Sequence, residues 1–211
     1  MRLIRILAGL VMLIFVAGCF VVPSAHPFYR EKDLVFDSAL IGTWESTGLD
    51  SKGKANLIEQ DFVMNFAKAD EKEYTLLYQA KDEPPAKFTA RLFELGKDTY
   101  LDLYPDTQQL ADKESTFYMG HFWPMHSLVR LSRKGDKMLL AGLDPEWVAQ
   151  QISRGGRSLG SVEKNKDGSA YPVLTADTQR LQQLILWHDN KAFTEGSVLQ
   201  RKSATAGESG K

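Results

Sequence analysis

Phe62-Val63-Met64-Asn65-Phe66-Ala67-Lys68-Ala69-Asp70-Glu71-Lys72-Glu73-Tyr74-Thr75-Leu76-Leu77-Tyr78-Gln79 holds the architecture in miniature. Phe62, Met64 and Phe66 alternate with Val63, Asn65 and Ala67, giving one apolar face and one mixed face at the two-residue period of a strand. The charged stretch Ala69-Asp70-Glu71-Lys72 interrupts that run, and residues 74–79 resume it with aromatic and aliphatic side chains. Two such runs joined by a short polar break predict a β-hairpin.

The same grammar extends in both directions. Residues 40–45, 88–95, 100–104, 116–122, 128–132 and 138–142 are short and rich in aromatic or aliphatic residues, and each predicts a strand. Gly96-Lys97-Asp98 and Lys134-Gly135-Asp136 supply turn chemistry between neighbouring runs, so consecutive strands should pair as an antiparallel meander. Beyond residue 142 the period changes. Asp144-Pro145-Glu146 offers an N-cap oxygen, a proline at the first helical position and an acid in the first turn, leading into a helix over 147–152. A second helix should start near Thr175 with Asp177 in its first turn, because Leu181, Leu184, Ile185 and His188 form an apolar stripe at i, i+3, i+4 and i+7. Residues 197–200 form a last short strand that can return to the sheet. The expected fold is therefore mainly β (α+β), an antiparallel up-and-down sheet of about eight strands followed by two helices and a short terminal strand.

Composition narrows the class. The 211 residues are 43% hydrophobic and 25% charged, which excludes a wholly disordered chain and a polytopic membrane protein. A formal net charge of −1 lacks the basic excess of a dedicated nucleic-acid binder, so no nucleic acid is expected. One cysteine, Cys19, allows neither an internal disulfide nor a cysteine metal cage.

That cysteine follows a basic start with Arg2 and Arg5, an apolar run from Ile6, and the small residues Ala17 and Gly18, which is the layout of an export signal. Val16-Ala17-Gly18-Cys19 resembles the lipobox of bacterial lipoproteins, with Val where Leu is commonest. The resemblance implies that residues 1–18 are a signal peptide and that Cys19 is acylated and becomes the first mature residue. It also implies a place in the bacterial cell envelope, on the periplasmic side of the outer membrane given Phe20 rather than Asp after the cysteine. Two or three acyl chains anchor stably where one holds only marginally. The competing reading is an uncleaved anchor, since the apolar run continues through Val22. Residues 19–39, with Pro23, Pro27 and a mixed charged stretch, read as a lipid-anchored tether, 40–202 as a single β-rich domain, and 203–211 as a disordered tail.

Gly42-Thr43-Trp44 on the first expected strand resembles the Gly-x-Trp of lipocalins and related calycin barrels. The resemblance implies a lipocalin-like barrel whose Trp plugs the closed end, with a late arginine, here Arg201, packed across it. It departs from that family in having two helices. Separately, residues 26–44 and Leu174-Thr175-Ala176-Asp177-Thr178 resemble an uncharacterised set of bacterial envelope lipoproteins.

Several constellations invite chemistry. Gly156-Arg157-Ser158-Leu159-Gly160 matches a nucleophile elbow as a string, and Asp177 and His188 follow in the order of a hydrolase triad. An elbow requires a strand before the serine and a helix after it, whereas here a helix ends before it and 161–168 is charged and turn-like. A surface loop is the better reading, and no enzyme activity is expected. His121 and His126, five apart around Pro124, with His188 as a third partner, fall short of a zinc cluster, so no metal and no cofactor are expected. Trp44, Phe117, Tyr118, Phe122 and Trp123 form a candidate ligand pocket for a small apolar or amphipathic molecule; ordinary core is the competing reading. Arg154, Arg157, Lys164 and Lys166 surround the glycine-rich loop and could meet an anionic lipid headgroup or glycan, or simply be solvated. The expected role is a structural, accessory or protein-interaction module with an envelope protein partner, the alternative being a lipocalin-like carrier.

Overall fold

Phe62, Met64 and Phe66 are all buried and Asn65 and Ala67 exposed, as their alternation requires. A computed structural model of the chain describes residues 21–54, 61–112, 115–119, 121–155, 158–164, 168, 170–188 and 191–202. The expected signal peptide, Cys19, Arg157, Lys166 and the tail 203–211 lie outside the described residues. In chain order the elements are β1 (Pro23–Ser24), single 3₁₀ turns at Glu31–Asp33 and Ser38–Leu40, β2 (Gly42–Asp50), β3 (Phe62–Asp70), β4 (Glu73–Ala80), β5 (Ala86–Leu95) and β6 (Asp98–Pro105). There follow α1 (Gln108–Ala111), α2 (Thr116–Met119), β7 (His126–Lys134), β8 (Lys137–Gly142), α3 (Pro145–Gly155), β9 (Gly160–Lys164), β10 (Ala170–Leu174), α4 (Thr178–His188) and β11 (Ser197–Arg201).

Strands β2 to β8 pair with their neighbours in sequence, and β11 fits antiparallel between β8 and β2. The result is a closed eight-stranded antiparallel barrel, consistent with a lipocalin-like fold. Eight strands enclose a space that side chains alone can fill. Trp44, Met64, Phe66, Leu76, Leu92, Leu101, Met138 and Leu199 do so, each buried. A second core lies outside the wall. Phe93, Tyr100, Leu128 and Ala141 point outward from the barrel and are covered by Val148 and Ile152 of α3 and Leu181, Leu184 and Ile185 of α4. Asp144 caps α3 by accepting the Trp147 N–H at 3.0 Å, as its sequence predicts. Helix α4 starts at Thr178 rather than Thr175, with Asp177 as its cap accepting the Arg180 N–H at 2.9 Å.

Three expectations are corrected. Residues 116–122 are not a strand: β6 pairs directly with β7, so the segment between them has no free ladder to join. It makes its own turns instead, with Met119 N–H on Ser115 O at 2.9 Å and Phe122 N–H on Met119 O at 3.1 Å. The charged stretch after Ser161 is not merely a turn, since β9 and β10 form a hairpin at the edge of the sheet. Alternation hid there because an edge strand carries charges on its solvent side. Residues 22–39 are not a tether. Val22, Phe28 and Leu34 are buried, and β1 inserts antiparallel to β7 and parallel to β10. Prolines that read as a linker serve here in a two-residue strand and an extended strap, positions where a missing N–H costs nothing.

Candidate functional site

The up-and-down connections put the turns at 71–72, 96–97 and 135–136 at one end of the barrel, beside the start of β2, and residues 51–54, 81–85, 106–112, 115–119 and 121–125 at the other. Trp44 closes the first end. It is fully buried, and its Nε1–H donates to Leu40 O at 2.9 Å. The Arg201 guanidinium lies 4.2 Å over its ring and donates through Nη1 to Ile41 O at 2.8 Å and through Nη2 to Ala39 O. A cation over an indole face is attracted by the ring quadrupole, and the same cation satisfies carbonyls left by the 3₁₀ turn at Ser38–Leu40. Gly42 makes the arrangement fit: its φ is +125°, and a Cβ there would stand 2.8 Å from Arg201 Nη1. The Gly-x-Trp and late Arg thus act as a plug, as the lipocalin resemblance implies.

The expected pocket does not assemble as one site. Trp44 is at the closed end, whereas Phe117, Phe122 and Trp123 sit on the segment joining β6 to β7 at the open end. Phe117 is 81% and Trp123 76% exposed, and Phe122 is also exposed, so they are neither core nor the lining of an enclosed cavity. The Tyr118 side chain lies outside the described residues. All three lie on the same connecting segment and face solvent.

The expected histidine group is dispersed. His121 Nδ1 bonds Phe117 O at 2.8 Å, while His126 Nδ1 bonds Asp102 Oδ1 at 2.6 Å, and the His188 side chain lies outside the described residues. Among the described residues no group of three or more His, Cys, Asp or Glu is placed to hold a metal ion. Ser158 lies between α3 and β9, the reverse of the strand-then-helix order that an elbow needs. Of the expected basic set, Lys164 ends β9 on the hairpin, and Arg154 lies on the last turn of α3.

A polar cluster escaped the sequence reading. Asp102, 1% exposed on the outward face of β6, accepts the Phe28 N–H on Oδ2 at 2.9 Å and holds His126 on Oδ1. The His126 ring packs 4.6 Å from Tyr104. From the other side Gln182 Nε2 donates to Phe28 O at 3.0 Å and to Asp33 Oδ2 at 2.8 Å, and Thr178 Oγ1 donates to Pro27 O at 2.7 Å. The segment 27–33 is therefore clamped between barrel wall and α4. Ser24, fully buried on the neighbouring strand, donates its hydroxyl to His26 O at 2.7 Å, so the Asp–His pair here is a clip for the strap. Its only trace in the sequence is an acid among the apolar residues Tyr100, Leu101, Leu103 and Tyr104.

Among the described residues no helix is long and apolar enough to cross a membrane. No family model, curated protein or solved structure matches the chain.

Proposed function

We propose that this chain is a lipid-anchored protein of the bacterial envelope, exported by residues 1–18 and held by acyl chains on Cys19, and that it is an accessory module that binds a protein partner through the open end of its barrel. The observation that supports the reading best is the contrast between an interior filled by the protein's own side chains and an open end presenting Phe117, Phe122 and Trp123 to solvent. A filled barrel has little to offer a carried molecule, whereas exposed aromatics are the residues that dominate protein interfaces. Val22 is buried three residues after Cys19, so an anchor there would hold the body within about 10 Å of the lipid surface. No catalytic role is part of the proposal.

Native mass spectrometry of the full protein extracted from its own envelope tests it. A protein partner lost in the Phe117→Ser/Trp123→Ser double variant, together with acyl mass on Cys19, is the expected result; an unmodified Cys19 thiol on a chain starting at Met1 would end the anchor reading. The second reading is a lipocalin-like carrier, favoured by the half-buried Tyr78 and Phe88 of the interior cluster. A stoichiometric small apolar molecule in the same spectrum would promote it over the first.

A further inference from the structure

We infer that the groove between α3 and α4, on the outside of the barrel, is a binding site for an anionic saccharide. The site is separate from the aromatics at the open end. It is a half-open depression of about 330 Å³, at the lower end of the range of small-molecule clefts. Leu159 and Leu184, both buried, form its floor. Arg180, Gln183, Leu184 and Trp187 reach it from α4 at i, i+3, i+4 and i+7, a single face of that helix, and Arg154 faces them from α3.

Charge decides the first half of the ligand's chemistry. Arg154 and Arg180 line one small groove; among the described residues its lining holds no carboxylate, and neither guanidinium has an ion-pair or hydrogen-bond partner. Guanidinium groups present planar forks suited to carboxylate or phosphate, and two of them around one groove are completed by one such anion.

The remaining lining decides the second half. The Trp187 indole is 75% exposed, leaving a flat aromatic face of the kind that receives polarised C–H groups, which sugar rings carry on their apolar faces. Gln151 and Gln183 add amides that both donate and accept, the complement of a hydroxyl-rich ligand. An acyl chain would want a longer aliphatic wall than two leucines, and a bare inorganic anion would have no use for the indole. A saccharide bearing a carboxylate or a phosphate uses every group. A uronate polymer and a phosphorylated sugar of a lipid-linked glycan share that chemistry.

Isothermal titration of the full chain in detergent tests the inference. The probes are trigalacturonate, glucose 6-phosphate, the neutral galactose trimer, and phosphatidylglycerol vesicles in a parallel co-sedimentation run. At least one anionic sugar should bind and the neutral trimer should not; which of the two anionic sugars binds more tightly separates the two sources. Arg154→Gln with Arg180→Gln, and separately Trp187→Ala, should each weaken binding by about tenfold or more. All three side chains are exposed, so circular dichroism should remain that of the parent. Silence from both anionic sugars, equal binding of the neutral trimer, or unchanged affinity in the arginine variant would overturn it. Vesicle binding that needs the two arginines while the sugars stay silent would replace the saccharide with a lipid headgroup.

Discussion

Truncating Trp44 to Ala probes the plug that closes the barrel. The side chain is fully buried, so its removal costs the transfer of an indole and leaves a cavity that neighbouring strands, fixed by ladders on both sides, fill poorly. Large aromatic truncations of this kind cost about 3–5 kcal/mol. Two further losses accompany it: Leu40 O gives up the Nε1–H bond, and the Arg201 guanidinium gives up its ring. The three terms overlap, and about 4–5 kcal/mol is expected in all. Trp44→Phe separates them, since it keeps an aromatic face under Arg201 and much of the buried area while deleting only the donor and part of the bulk; about 1–2 kcal/mol is expected. Urea unfolding of the full chain, followed by far-ultraviolet circular dichroism, reads the difference. With an unchanged slope, Trp44→Ala should lower the midpoint by about 2 M. A loss below about 1 kcal/mol for Ala, or equal losses for Ala and Phe, would refute the argument that the ring fills and fastens this end.

Burial raises the phenol pKa values of Tyr29 and Tyr74 above 10.0, the Arg91 charge partly opposing it at Tyr29 and the Asp37 backbone hydrogen bond at Tyr74. The folded state then keeps these protons at a pH where the unfolded state has lost them, so stability is full below pH 10 and falls as pH rises through the folded values. Phenolate absorbance should show two tyrosines titrating late, and both should revert in urea. Asp102→Ala strands the Phe28 N–H and the His126 ring and should cost about 2–4 kcal/mol; hydrogen exchange should speed up at Phe28, and unchanged protection there would contradict the clip. Gly160→Ala places a Cβ 2.0 Å from Val173 O, which forces β9 away from β10 and should destabilise by more than about 2 kcal/mol in thermal melts. Ser158→Ala should leave every phenotype intact, and the parent should resist fluorophosphonate probes; stoichiometric labelling at Ser158 would argue for a hydrolase.

Hairpins, caps and the plug were legible without coordinates because each is written in a few neighbouring residues. The alternation at 62–67, the glycine turns at 96 and 135, the cap at Asp144 and the Gly42-x-Trp44 pattern are local chemistry, and local chemistry survives in whatever tertiary frame it meets. The proposed export signal at 1–18 and the proposed lipid anchor on Cys19 rest on the sequence alone. Closure is different in kind. Whether 116–122 or 197–201 supplies the eighth strand depends on which edges remain unpaired, and β11 wins because Arg201 and Leu199 come into register with Trp44 and Ser46 far back along the chain. The strap over 22–34 is hidden from the sequence for the same reason: proline and charge spacing describe a linker, but burial of Val22 and Phe28 needs a barrel wall and a helix to be present first. Asp102 and His126, and equally Arg154 and Arg180, are distant in sequence and carry no shared motif. Only the packing of strap, barrel and helices brings them together, since side-chain neighbourhood between remote segments is set by the fold and not by spacing.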